Sequence, residues 1–425
     1  MFRAKSIAKV ARRTYASVAS APVVSTSNGI KVAAIEGDAE SQLASVSLVI
    51  NGGSRFEAPE NAGAAHYLKA FGFRNTQGRT SFRTVREAEL NGATLVAEAT
   101  RENITYTVQC FKDAVPYFVD VLADIATATK YAEHEFRDIS KAVIFESLCA
   151  HTNPVTRLVD GIHQAAFRNG LGNSLYALSS SPVTTGDAVR QYAQAAFASN
   201  RVAIVGTGVG AQQLADLVSQ SSLSGLGSQS SLTTSASKFV GGTQQVYESA
   251  SPVSHYALAF SAEPGMAPVL ASLLGAQKRM KWSTGVSPLA KLAASEGFEA
   301  EAFSFAYSDA GVVGVLVSAP TSQIKGAMEK VAAVIQKDIA AAGDEAVQRA
   351  VAAAKVDAAE TLATLKGTQL ALGQVALGQS AATLESVEQA ASKLSSAAPA
   401  VFKSKPVAAS VGLSQTTAYV DTLGF

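Results

Sequence analysis

Apolar and polar positions alternate with a period of two over Ala93 to Thr100 and Ile104 to Phe111, which predicts two strands turning at Arg101-Glu102-Asn103. Immediately afterwards Val115, Phe118, Val119, Leu122 and Ile125 recur at helical spacing. Upstream, Ser45 to Ile50 reads as the end of a strand, closed by the Asn51-Gly52-Gly53 turn. Helices follow around 61–71 and over Thr84 to Leu90, the second stopped by Asn91-Gly92. Helical spacing continues over roughly 133–150, 155–168 and 186–198, and a strand at Arg201 to Val205 with a helix from Ala211 closes this half.

The second half follows the same plan. His255 to Ser261 reads as a strand and Met266 to Gln277 as a helix. A strand pair, Phe298 to Tyr307 and Gly311 to Ser318, turns at Ser308-Asp309-Ala310, and two long Ala-rich helices follow over about 321–341 and 343–365. Laying turn on turn gives an offset of 207 residues, which predicts an internal duplication of a unit of roughly 200 residues. Hairpins mixed with consecutive helices indicate α+β layers. Between the halves, residues 221–237 contain eight Ser, two Gly, two Thr and no charge, the composition of a flexible linker. The expected division is therefore 16–220, a linker at 221–237, and 238–425, preceded by a targeting segment.

That segment is 1–15. Arg3, Lys5, Lys9, Arg12 and Arg13 fall within it and no acid appears before Glu36, the composition of a mitochondrial transit peptide. Its removal after Tyr15 turns a net charge of +1 into −4, with 30 cations against 34 anions. Such a balance argues against nucleic acid as a partner, because that requires clustered Lys and Arg. Only 16% of the 425 residues are charged, against about 25% in ordinary soluble domains, so part of the surface is expected to lie against partners. Cys110 and Cys149 are too few for a disulfide framework or a Cys-based zinc site. No stretch approaches the roughly 20 apolar residues of a membrane span.

The sharpest local feature is His66-Tyr67-Leu68-Lys69-Ala70, preceded by Gly52-Gly53-Ser54-Arg55-Phe56-Glu57. Here the chain resembles the inverted zinc metallopeptidases typified by mitochondrial processing peptidase. Active members carry H-x-x-E-H on a helix, with a distant Glu as third ligand. Residues four apart share a helix face, so two imidazoles can hold one zinc while the Glu takes a proton from its water. In this chain His66 stands at the first ligand position, Lys69 replaces the general base, and Ala70 replaces the second ligand. Glu146, 76 residues after Ala70, falls where the family places its downstream ligand. Two ligands of three hold zinc poorly, and an ammonium repels it. The site therefore reads as degenerate, with neither a catalytic residue nor a metal.

The resemblance extends through Asn91-Gly92-Ala93 to Cys110 and on to the strand Arg201 to Gly208. Within the family, the relatives without peptidase activity are the two core proteins of the cytochrome bc1 complex and the processing peptidase's own substrate-binding subunit. Leu273 to Arg279 and Ser304 to Gly314 resemble the core-protein branch. The substrate-binding subunit carries a glycine-rich loop, whereas Gly275 to Leu292 contains only Gly275 and Gly285. The resemblance implies two homologous α+β domains forming a bowl, and a structural subunit of ubiquinol–cytochrome c reductase. The implied partners are core protein 1, cytochrome b, cytochrome c1, the Rieske protein and small subunits of a dimeric complex. The implied place is peripheral, on the matrix side of the inner membrane. No cofactor is implied in this chain, the haems and iron–sulfur cluster belonging to partners. The alternative is the recognition subunit of a processing peptidase.

Other signals are weaker. Gly206-Thr207-Gly208-Val209-Gly210 invites a dinucleotide reading, but its spacing is G-x-G-x-G, which a turn explains. Adjacent helix residues such as Glu133-His134-Glu135 point about 100° apart and do not converge. His151 and His163 fit no metal spacing. Trp282, beside Lys278, Arg279 and Lys281, suits a lipid headgroup, a partner, or an exposed loop. The small residues at Leu372-Gly373-Gln374 permit close helix packing, either internal or in an interface.

Overall fold

The computed structural model describes residues 23–26, 29–36, 41–233, 235–247, 251–275, 282–283, 285–339, 342–381 and 383–425. The expected transit peptide 1–15 and the cations Lys278, Arg279 and Lys281 lie outside them.

The first sheet contains β1 (Val23–Ser25), β2 (Lys31–Ile35), β3 (Leu43–Ile50), β4 (Thr94–Ala99), β5 (Ile104–Phe111) and β6 (Val202–Thr207), in the order β1-β2-β6-β3-β5-β4. β2 and β6 are parallel and the other neighbours antiparallel. The second sheet contains β7 (Thr243–Tyr247), β8 (Val253–Ala262), β9 (Glu299–Ala306), β10 (Gly311–Pro320) and β11 (Val407–Gly412), in the order β7-β11-β8-β10-β9. Among the described residues its parallel pair is β7 with β11, the other neighbours being antiparallel. Strand for strand this repeats β2-β6-β3-β5-β4. The two hairpins, Ala99 opposite Ile104 and Ala306 opposite Gly311, sit at the spacing expected from the sequence.

Helices of the first half are α1 (Ala64–Ala70), α2 (Ser81–Leu90), α3 (Val115–Thr127), α4 (Glu133–Thr152), α5 (Pro154–Phe167), α6 (Gly186–Ala196) and α7 (Ala211–Gln220). The second half adds α8 (Ala267–Leu274), α9 (Pro288–Glu296), α10 (Ile324–Val334), α11 (Asp344–Ala363), α12 (Leu365–Ala376), α13 (Leu384–Ala391) and α14 (Leu394–Phe402). Local chemistry sets their starts. Thr80 accepts a hydrogen bond from the Arg83 amide at the start of α2, and Asn153 accepts from Val155 ahead of Pro154 in α5.

The chain divides into two compact units: the described residues of Met1–Leu148, Asn173–Ser235 and Thr361–Ala381, and those of Cys149–Gly172, Ala236–Glu360 and Ala382–Phe425. These cross the division expected from sequence twice. Helix α5 belongs with the second sheet, where Leu158, Ile162 and Ala166 cluster with Ala257, Ala259, Val407 and Ala409. Helix α12 belongs with the first, where Leu372 and Ala376 cover Val49, Ala203 and Val205. Periodicity shows that a helix buries a face; it does not show which sheet receives it. In each unit the opposite sheet face packs on the larger core, with Val46, Leu48 and Ile204 under α3 and α7, and Leu258, Phe260 and Val315 under α8 and α10.

Both crossing helices come close to their sheets through glycine. A Cβ at Gly373 would lie 2.7 Å from Val49, and one at Gly161 would lie 3.2 Å from Ala409. The small residues at 372–374 thus serve internal packing. The Ser-rich stretch 221–237 is held at its start: Leu223 is fully buried, and Arg201 donates to the Leu232 carbonyl at 2.7 Å.

Candidate functional site

The site lies within the first unit, on α1 and the segments that fix it. Gly53 leads from β3 into the approach to α1, and a Cβ there would fall 2.5 Å from the carbonyl oxygens of Thr100 and Arg101. Only glycine lets this segment lie on the β4–β5 turn. The contact is reinforced by the Arg55 amide donating to Arg101 O at 2.8 Å, and by a buried ion pair from Arg55 Nη1 to Glu102 Oε1 at 2.6 Å.

Glu57 then caps α1 from outside. Its two carboxylate oxygens accept from the amides of Gly63 at 2.8 Å and Ala65 at 2.7 Å. Burial pushes its pKa up to about 7, against the lowering effect of those two bonds. Gly63 has φ +93°, and a Cβ there would meet Ala177 at 2.7 Å, so the entry to α1 also requires glycine. At the other end the Tyr106 hydroxyl donates to the Leu68 carbonyl at 2.7 Å, and Tyr67 stacks on Phe136.

Held in this way, α1 turns His66 and Lys69 toward α4. The His66 ring is almost completely buried. Its Nδ1 accepts the Ala177 amide at 3.0 Å, which places the proton on Nε2, and Nε2 donates to Glu146 Oε2 at 3.1 Å. Lys69 Nζ donates to the other carboxylate oxygen, Glu146 Oε1, at 2.7 Å. Burial lowers the His66 pKa and the Lys69 charge lowers it further, against the opposing hydrogen bond from Glu146. For Glu146 burial acts upward, but the hydrogen bonds from Lys69 and His66 and their charges outweigh it and hold the carboxyl below its usual value.

The structure thus brings together His66, Lys69 and Glu146, with Ala70 beside them offering no donor atom. A zinc ion does not fit. Two potential ligands remain, one is committed as a donor and the other to an ammonium, and the described residues hold no group of three or more His, Cys, Asp or Glu suited to a metal. Lys69, donating to a carboxylate, offers no lone pair at the position where the peptidases carry their general base.

The other candidates resolve individually. Glu133 accepts from the Gly186 amide, Glu135 from Asn75, and His134 lies at the surface, so the three do not converge. His163 is fully buried and engaged at both nitrogens, donating to Val159 O at 2.6 Å and accepting from the Tyr307 hydroxyl at 2.7 Å. Gly208, at φ +82°, forms the turn into α7, where a Cβ would fall 2.6 Å from Leu43 O. Trp282 is exposed, and Leu273, the offset partner of His66, is buried in the second core. Two residues were missed by the sequence reading. Glu57 stood in the quoted motif without a role, although an acid shortly before a helix start is a recognisable signal. Ala177 carried no signal, because it acts through its backbone.

With this geometry the comparisons become interpretable. Residues 32–178 match the family described as Insulinase (Peptidase family M16), which accounts for the helix bearing His66 and the hairpin behind it. Over nearly the whole chain the similarity is narrower. Cytochrome b-c1 complex subunit 2, mitochondrial, of Cryptococcus neoformans var. grubii is 36% identical over 99% of this chain and 97% of its own length. The proteins of the same name from Yarrowia lipolytica and Homo sapiens are 32% and 30% identical, covering 93% and 73% of this chain and 95% and 71% of their own lengths. The chain belongs to the mitochondrial cytochrome b-c1 complex subunit 2 family, a branch of the M16 peptidase fold. The resemblance drawn from His66-Tyr67-Leu68-Lys69-Ala70 and its surroundings is borne out.

Proposed function

We propose that this chain is a structural, non-catalytic subunit of the mitochondrial cytochrome b-c1 complex, ubiquinol–cytochrome c reductase, needed for its assembly and stability. The observation that carries this reading is the pairing of end-to-end similarity to subunit 2 proteins with a peptidase-type site whose carboxylate faces Lys69. Its partners are core protein 1, cytochrome b, cytochrome c1, the Rieske protein and small subunits, which carry the haems and the iron–sulfur cluster. It sits peripherally on the matrix side of the inner membrane. Among the described residues no helix is long and apolar enough to cross a membrane, which supports attachment through partners. The basic segment 1–15 serves as the mitochondrial address.

Depletion of the chain from mitochondria tests this. Loss of assembled reductase, with presequence cleavage intact, is the expected outcome. Intact reductase with failing presequence cleavage would instead assign the chain to the processing peptidase.

A further inference from the structure

We propose that Lys69 is a tethered cation that performs the electrostatic work of the peptidases' metal ion, clamping α1 to α4 with no metal bound. A structural metal does two things: it neutralises the carboxylate that binds it, and it ties together the elements that supply its ligands. Lys69 and His66 do both for Glu146. Lying three apart on one face of α1, they engage the two oxygens of one carboxylate on α4, at 2.7 and 3.1 Å.

The polarity of the site is inverted. In a metal site, lone pairs converge on a cation. Here N–H groups converge on an anion, because the Ala177 amide at 3.0 Å from Nδ1 forces the His66 proton onto Nε2. A nitrogen carrying that proton is not a ligand. The Lys69 side chain is 16% exposed and that of Glu146 48%, so the ion pair closes the site at its solvent edge. Glu57 and Tyr106 fix the two ends of α1, and between them the clamp acts alongside the Tyr67–Phe136 stack.

The inference concerns the chain itself and stands apart from its place in the reductase, so each can fail without the other. The test compares thermal unfolding and zinc content of the full chain and two variants. Lys69→Met keeps the alkyl length and removes the charge. It is expected to lower the melting temperature by about 2–4 °C, the shift that roughly a kilocalorie produces in a domain of this size. Adding Glu146→Gln to it is expected to recover most of that loss, since no anion then lacks a counter-charge. The wild-type chain is expected to bind no zinc and to ignore chelator. An unchanged melting temperature in Lys69→Met, or a wild-type chain that chelator destabilises, would overturn the proposal.

Discussion

Gly373 of α12 lies directly on Val49 of β3, so close that a single added Cβ would stand 2.7 Å from the valine side chain. Glycine inside a helix ordinarily costs about 0.5–1 kcal/mol relative to alanine. Keeping it at a buried crossing makes sense only where the backbone must approach the sheet. Gly161 of α5 sits less tightly on its sheet, where an added Cβ would meet Ala409 and the Gln244 side chain at 3.2 Å.

The sign of the alanine substitution should therefore differ between sites. Gly373→Ala is expected to destabilise the chain by about 1–3 kcal/mol, the usual cost of overpacking. Gly326→Ala in α10, where a Cβ meets nothing within 4 Å, is expected to stabilise it by about 0.5–1 kcal/mol. Denaturant midpoints of the two variants check this directly.

The Arg55–Glu102 pair lies on the contact that positions the approach to α1, with both side chains buried. Removing one partner breaks this 2.6 Å bond while the other charged side chain stays buried. Glu102→Ala is expected to cost about 3–5 kcal/mol, and the double change Arg55→Met with Glu102→Leu considerably less than two such losses. A double-mutant cycle read by equilibrium unfolding measures the coupling.

Glu57 makes stability depend on pH. Its folded pKa, about 7, lies above the ordinary 4.5, so the folded chain binds the extra proton. The stability this supplies is fully present below about 4.5 and disappears as pH rises through about 7, a change of roughly 3 kcal/mol. Glu57→Gln stays neutral but sets an amide donor against two backbone donors, a loss of about 1–3 kcal/mol. Glu57→Gln is thus expected to be less stable than wild type near pH 5 and to match or exceed it by pH 8, when unfolding is followed across that range.

The buried pair His163 and Tyr307 gives a further test. Tyr307→Phe removes the hydroxyl that donates to Nε2 and is expected to cost about 1–3 kcal/mol. Replacing His163 in the same chain should then cost less than it does alone, which paired unfolding curves would show.

Much of this was legible in the sequence, and the reasons it stopped are physical. The alternation Ile104, Tyr106, Val108 and Cys110 marks the buried face of β5, and the turns 101–103 and 308–310 reveal the duplication. Strands β2, β7 and β11 escaped notice: they are short, built from small or polar residues, and β2 and β7 pair in parallel with partners far along the chain. The exchange of α5 and α12 was hidden because an apolar stripe does not name the surface it covers. Leu223, Leu226 and Leu232 hold a stretch whose serines read as a free linker. At the site, His66, Lys69, Ala70 and Glu146 were all identified from the motif. The direction of their hydrogen bonds was not, because it depends on the amide of Ala177, a residue with no chemistry of its own to notice.

Isolating the native assembly through a tag on this chain, and recording its haem spectrum alongside its zinc content, shows whether the chain is a structural subunit of the b-c1 complex. b- and c-type haem should stay in constant proportion to the chain through every purification step, with no zinc that depends on His66. A small assembly without haem, carrying stoichiometric zinc and cleaving presequences, would contradict it.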